Sequence, residues 1–593
     1  MSDNRRNSIR EYLQDNILIT DGAMGTFFAS VYDTQELPEF FNLREPEKVQ
    51  QIHEKYIVSG AKLIRTNTYA SNTISLGCSI EEVLENVRAA CGIAKRAVAG
   101  REDVFIAGDI GPVIYDHNNM QEQVSREYSQ IARAMLECGV DAIIFETFSD
   151  MSDIQEALCE IRDNSDVFTI VQFAVNQFGY SASGLSAKRL ITEADSCACT
   201  DAVGLNCGVG PGHMCSIFDK MKLHTKKYIT ALPNAGYPQT VSNRMIFAAD
   251  NSVYFSQKAE DIVSLGINII GGCCGTTPEY TKKLCERLSG KKPVSKSEEV
   301  NSEKKEVKVR DNAFYRKKTN NEKLIAVELA PPVDSDDQKL MEAAHILQKS
   351  GVDVLTFPDS PSGRTRADSV LMAEKVAKET GIEVMPHLCC RDKNAIAMRS
   401  QLLGAHINNI NNFLVITGDP VPSMVRQSVK AVFNFDSVGL MNIIRDMNES
   451  QFSESPIVYG GAINQTRRNL DVEISRVKKK MEAGATFFFT QPVFDDNGVA
   501  RLKQVKNETG ARILCGIMPF VSLKNAVFMK NEMTGIEVSD EIISRYRKCV
   551  TKEDGEAVGV QIAKEVIAKT TDFVDGYYFS FPFNRVYLLD RIL

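Results

Sequence analysis

The chain has 593 residues, too many for one hydrophobic core and enough for two to four domains. Hydrophobic residues make up 43% and charged residues 25%, and the net charge of −8 leaves no basic footprint for nucleic acid or an anionic membrane. No apolar run reaches the roughly 18 residues that span a bilayer, and the opening Met-Ser-Asp-Asn-Arg-Arg carries no apolar signal core, so a cytoplasmic protein is expected.

The first polar cluster along the chain is Asp21-Gly-Ala-Met-Gly-Thr26. A repeating unit then begins: a helix-like stretch closes at a glycine, and a short apolar run ends in polar residues. It occurs at Gly60-Ala-Lys-Leu-Ile-Arg-Thr-Asn67, Gly139-Val-Asp-Ala-Ile-Ile-Phe-Glu146 and Gly266-Ile-Asn-Ile-Ile-Gly-Gly-Cys273. Asp109, Asn206-Cys207 and Asn234 close further runs. Residues 289–323 break the pattern with Lys, Glu, Asn and Ser, and read as a charged, flexible linker. Beyond it the unit resumes at Gly351-Val-Asp-Val-Leu-Thr-Phe-Pro-Asp359 and Gly484-Ala-Thr-Phe-Phe-Phe-Thr-Gln491.

Each half is close to the ~250 residues of a (β/α)8 barrel. The predicted fold is therefore α/β: two TIM barrels, 1–288 and 324–593, joined by the linker. A doubly wound sheet gives similar local sequence. Neither half has a Gly-x-Gly-x-x-Gly turn after its first strand, which favours barrels. In a barrel the polar ends of all strands converge on one mouth, where active sites sit.

Fifteen cysteines in a large chain suggest reduced thiols rather than a disulfide framework. Cys78, Cys91, Cys138, Cys159, Cys285 and Cys549 lie in helix-like stretches and read as small hydrophobes. Cys197-Ala-Cys199 has the look of a metal motif but no second ligand pair nearby in sequence. Cys207, Cys273 and Cys274 differ, because each group follows an apolar run and precedes a glycine. Three thiolates with one open position are the donor set of a catalytic zinc. A thiol that joins such an ion loses its proton, so thiol alkylation is the predicted chemistry. Asp21 and Glu146 would face the same mouth and suit an ammonium group.

These segments resemble the homocysteine S-methyltransferase family over about residues 10–288, most specifically in Gly271-Gly-Cys-Cys-Gly-Thr-Thr-Pro278. The resemblance implies zinc on Cys207, Cys273 and Cys274, with the homocysteine amino group held by Asp21 and Glu146.

In the second half Glu328 precedes Leu-Ala-Pro-Pro, and His387, Asp419 and Gln491 follow separate apolar runs. An acid, an acceptor and an amide at one mouth suit proton transfer and recognition of a ring that both donates and accepts hydrogen bonds. The order of motifs over 322–593 is similar to the methylenetetrahydrofolate reductase family. That resemblance implies FAD, reduced by NAD(P)H, with Glu328 as general acid and Asp419 between flavin and folate. It places Gln491 and Arg585 on folate and His387, Tyr459, Ala462 and Lys480 on the flavin. Two motifs depart from the family form: Glu328-Leu-Ala stands for Glu-Phe-Phe, and Thr417-Gly-Asp419 for Arg-Gly-Asp.

Together the halves imply a bifunctional enzyme that makes 5-methyltetrahydrofolate and methylates homocysteine. No residues are left over for a cobalamin domain, so a sulfonium or ammonium methyl donor such as S-methylmethionine is expected. A homo-oligomer is compatible with barrels of this kind. Two alternatives remain open at this stage: a methyl relay to a separate corrinoid protein, and a non-catalytic zinc or redox scaffold.

Overall fold

A computed structural model describes residues 8–294, Lys317 and 322–593, apart from 115–119, 222–224, 242–243, 248–249, 422–428 and 534. Most of the expected linker, 289–323, lies outside the described residues. The chain divides into two compact units, 1–301 and 302–593.

The strands of the first unit are β1 (Leu18–Ile19), β2 (Leu63–Arg65), β3 (Phe105–Ile110), β4 (Ala142–Phe148), β5 (Phe168–Phe173), β6 (Ala202–Asn206), β7 (Tyr228–Leu232) and β10 (Ile269–Ile270). They run in the order β1-β10-β7-β6-β5-β4-β3-β2. Thr20 bridges to Leu63, and the Lys62 N–H reaches the Ile19 carbonyl at 2.8 Å. These contacts join the two edges and close the barrel. A short antiparallel hairpin, β8 (Gln239–Val241) with β9 (Arg244–Ile246), stands between β7 and β10.

The second unit is a closed barrel of β11 (Leu324–Glu328), β12 (Val354–Phe357), β13 (Glu383–Cys389), β14 (Asn412–Ile416), β15 (Val458–Ile463), β16 (Phe488–Pro492), β17 (Ile513–Ile517) and β18 (Gly576–Ser580). Both halves are thus the expected parallel barrels, and closure rules out the open doubly wound sheet.

Strand alternation sorts the side chains into two layers. In the first barrel Leu18, Leu63, Phe105, Ala107, Ala142, Ile144, Phe168, Ile170 and Ala202 fill the interior. Ile64, Ile106, Ile143 and Val171 face the helices. Ile9 and Leu13 of helix Ser8–Asp15 join the interior cluster and plug its floor. Tyr12 of that helix stacks edge-on to Phe105 at the start of β3. In the second barrel Leu324, Ala326, Val354, Met385, Leu414, Phe487, Phe489 and Leu514 point inward, while Val327, Leu355, Leu388 and Val415 face the helices. With each floor filled by apolar groups, polar side chains that point inward collect at the opposite end.

Candidate active sites

In the first barrel the inward alternation that begins with Leu63, Ala107 and Ile144 continues to Arg65, Asp109 and Glu146. Asn206 ends β6 and Cys207 follows it, and Cys273–Cys274 follow β10. The sulfurs of Cys207, Cys273 and Cys274 all lie within 4.8 Å of one another, with Cys207 to Cys274 at 3.8 Å. Cys207 and Gly208 both take left-handed backbone, φ 54° and 71°. A Cβ on residue 208 would stand 2.1 Å from the Val175 carbonyl oxygen, so only glycine lets the chain turn here. Hydrogen bonds from the Cys273 and Cys274 thiols hold the Cys207 thiol well below its ordinary range. Sharing protons and burial push Cys273 up in turn.

A buried ion network floors this cluster. Arg65 Nε donates to Asp21 Oδ1 at 2.8 Å and Nη1 to Glu146 Oε2 at 2.6 Å. Nη2 donates to the carbonyls of Gly22 and Gly272, at 2.7 and 2.9 Å. Arg65, Asp21 and Glu146 are 6%, 3% and 5% exposed. Burial works to raise both carboxyls, and Arg65 opposes it. The short distances are those of charge-assisted bonds, so we assign the trio as ionised. Asn206 ties the network to the thiols: its Nδ2 lies 3.3 Å from Glu146 Oε2 and 3.9 Å from Cys273 Sγ.

In the second barrel Glu328 points inward at the end of β11. Its carboxylate accepts from the Tyr578 hydroxyl and, at 3.2 Å, from Ser580 Oγ. Burial raises its pKa, and the Tyr578 and Ser580 hydroxyls oppose that shift. His387 is 5% exposed, and its Nε2 has no partner among the described residues. Burial pushes its pKa down to about 3, so the ring is neutral. Asp419 follows β14 on an exposed turn, where its Oδ2 accepts from the Ser362 N–H at 2.8 Å.

Residues 18–288 match the homocysteine S-methyltransferase family, and residues 314–579 match the methylenetetrahydrofolate reductase family. The chain carries one domain of each family. A methionine synthase of Mycobacterium leprae (strain TN) is 25% identical over 300 residues, 47% of this chain. The match spans 25% of the length of that relative. Structures of the homocysteine methyltransferase MmuM of Escherichia coli, metallated and oxidized, align with 48% of this chain and 100% of theirs. Their identity is 17% and the TM-score 0.40.

The methyltransferase family implies zinc, and the donor set fits it. Four ligands at the Zn–S length of about 2.3 Å, set tetrahedrally, place sulfurs about 3.8 Å apart. Cys207 and Cys274 already stand at that separation. Cys197 and Cys199 lie elsewhere: Cys199 Sγ is 3.8 Å from exposed Cys159, outside the mouth. Arg65 was not singled out by sequence. Its signal was a charged residue in phase with inward Leu63.

The reductase family implies a flavin, and the buried, unpartnered His387 Nε2 is a group that a ligand would satisfy. Tyr459 requires a correction. It faces the helix layer, and its hydroxyl donates to the Ala483 carbonyl at 2.8 Å. Val458 packs against the interior, so alternation sends Tyr459 outward and Ala462 inward. Lys480 is not a solvated residue of its helix, since its Nζ donates to the Ala462 carbonyl at 2.7 Å. Arg585 pairs with Glu556 at 3.3 Å.

Two buried residues of the reductase domain escaped the sequence reading. Gln465 clamps the backbone of Gln491, donating from Nε2 to its carbonyl at 2.8 Å and accepting from its N–H at 3.2 Å. Arg391 donates to the Asp419 carbonyl at 3.2 Å and to the Ser360 carbonyl at 3.1 Å. It brings a guanidinium beside the turn that lacks the family's arginine.

Proposed function

We propose that the chain is a bifunctional enzyme of one-carbon and methionine metabolism. The first barrel transfers a methyl group to homocysteine, and the second reduces methylenetetrahydrofolate to 5-methyltetrahydrofolate. The convergence of three thiols from two strands at one mouth supports this reading best.

In the first barrel Cys207, Cys273 and Cys274 hold zinc, which when bound supplies a Lewis acid that keeps the acceptor thiol deprotonated at neutral pH. Asn206 and Glu146 orient the acceptor beside the cysteines. A sulfonium or ammonium donor suits this mouth, because its leaving group departs neutral and needs no proton.

In the second barrel His387, Ala462 and Lys480 hold FAD, which when bound and reduced by NAD(P)H supplies the hydride. Glu328, whose pKa burial raises, gives its proton to N10 as the methylene bridge opens. Asp419 is fixed at one oxygen by Ser362 and accepts from the pterin with the other. Gln491, clamped by Gln465, positions folate and nicotinamide.

Metal and flavin measured on one preparation test the reading. Zinc and FAD are each expected near one per chain. Cys273→Ser should abolish methyl transfer and spare flavin reoxidation by methylenetetrahydrofolate, and Glu328→Gln should cut that reoxidation to a small residual rate and spare methyl transfer. A colourless protein that cannot take up FAD would remove the reductase half of this reading, and zinc bound without methyl transfer would leave the first barrel only a metal scaffold.

A further inference from the structure

Cys159, Cys197 and Cys199 take no part in the chemistry above, yet folding brings them together. Cys159 lies on helix Gln155–Asn164, and Cys197 caps the end of helix Ala187–Ser196. Cys199 Sγ stands 3.8 Å from Cys159 Sγ, although 40 residues separate the two in the chain. The Cys197 thiol is a second hydrogen-bonding neighbour of Cys199. Cys159 is exposed, and the other two are partly so. Cys199 precedes β6 and Cys207 follows it, so a five-residue strand of about 16 Å stands between this cluster and the mouth.

The backbone that presents Cys199 is anchored. Its carbonyl accepts from Thr169 Oγ1 at 2.6 Å and from Arg162 Nη2 at 3.4 Å. The Cys197 carbonyl accepts from Thr200 Oγ1 at 3.1 Å and from Lys227 Nζ. These anchors hold Cys199 against Cys159 with no covalent link between them. Burial and the Cys159 thiol raise the Cys199 pKa, and the Arg162 guanidinium opposes them. Bonded sulfurs stand about 2 Å apart, so a shift of about 1.8 Å closes the gap. Among the described residues, only the three cysteines of the mouth bring three ligand atoms close enough together for a metal. The flanking cluster is therefore a dithiol with a neighbour, not a second metal cage.

We propose that Cys159 and Cys199 form a reversible disulfide in the outer layer of the first barrel, made and broken by exchange with small-molecule disulfides and thiols. Cys159 is the exposed sulfur and reacts first. It gives its proton to solvent, and its thiolate attacks one sulfur of the small disulfide. A mixed disulfide forms and one small thiol leaves. Cys199 then loses its proton, attacks Cys159 Sγ and expels the second small thiol. Two protein thiols are oxidised by two electrons, and the small disulfide is reduced to two thiols. The bond ties the helix after β4 to the connection that enters β6. Closing a loop of this length stabilises the first unit and leaves the cysteines of the mouth untouched.

The test uses the full chain with zinc added, equilibrated in glutathione buffers from reduced to strongly oxidised and then trapped by alkylation. Peptide mapping by mass spectrometry without reduction locates each bond. A Cys159–Cys199 link should appear as the buffer is oxidised and disappear when reduced glutathione is restored. Cys197→Ser should keep the link, and Cys159→Ser and Cys199→Ser should each abolish it. Oxidation should raise the melting temperature of the wild type by several degrees and leave that of Cys159→Ser unchanged. The inference is overturned if Cys159 stops at the mixed disulfide with glutathione, or if Cys199 pairs with Cys197 instead. It is overturned equally if the link forms only where circular dichroism shows the chain unfolded. A second equivalent of bound zinc that vanishes in Cys159→Ser would make the cluster a metal site and overturn it too. The readout is a bond away from the mouth, so failure of the methyl-transfer reading leaves this result standing.

Discussion

Arg65 is a single guanidinium asked to neutralise two buried carboxylates, and that sets what its loss would do. Arg65→Met leaves Asp21 and Glu146 facing each other without a cation, at a cost of about 3–5 kcal/mol. The measurement is chemical denaturation at neutral pH, and a loss under 1 kcal/mol would show that the network is dispensable. Glu328 gives a pH signature instead. Its folded pKa is raised by burial, so its proton contributes stability that is complete below the unfolded carboxylate pKa. That contribution fades as pH rises through the folded value. Reductase turnover should fall over the same upper window as the acid ionises. In Glu328→Gln that limb should vanish from the profile of residual activity, and its persistence would assign the proton to another group. At this scale the sequence exposed the thiols but not their supports. Cys207, Cys273 and Cys274 carry their chemistry in their residue type. Gln465 and Arg391 matter only through the backbones they hold, and those partners are distant in the chain.

Elements decide which way each side chain points. The alternation of β15 turns Tyr459 to the helices and Ala462 to the interior, which motif matching alone did not resolve. Turns at strand ends carry equal weight. Gly418 sits at φ 94°, and a Cβ there would fall 2.1 Å from Cys389 Sγ. Gly418→Ala should therefore displace Asp419, with a stability loss of about 1–3 kcal/mol. Reductase activity should fall while methyl transfer is kept. Full reductase activity in a well-folded Gly418→Ala would separate Asp419 from the reaction. Helix starts are better specified by local chemistry. Ser79 and Glu82 form a capping box before helix Ile80–Ala97, and Thr551 and Asp554 do the same before Lys552–Thr570.

The whole molecule contains two hydrophobic interiors in separate units, so two unfolding transitions are expected by calorimetry. A metal held by the first barrel stabilises only that barrel, by an amount set by its concentration relative to Kd. Chelation should lower one transition and leave the other in place, and Cys273→Ser should remove the chelator response. A single transition, or two that move together, would contradict independent barrels. No described helix is long and apolar enough to cross a membrane, and all fifteen cysteines are free. By itself the sequence determined the number and type of the barrels, because apolar runs closed by glycine and polar residues are local patterns. It also singled out Cys207, Cys273 and Cys274, because each group closes an apolar run before a glycine, and the fold brings their sulfurs within 4.8 Å of one another. Only tertiary structure decided how charge is shared at the mouth. Whether Asp21 faces the mouth alone or paired depends on Arg65, 44 residues away in the chain and 2.8 Å away in space. Electrostatic pairing acts through distance, and no local pattern records a distance that folding creates.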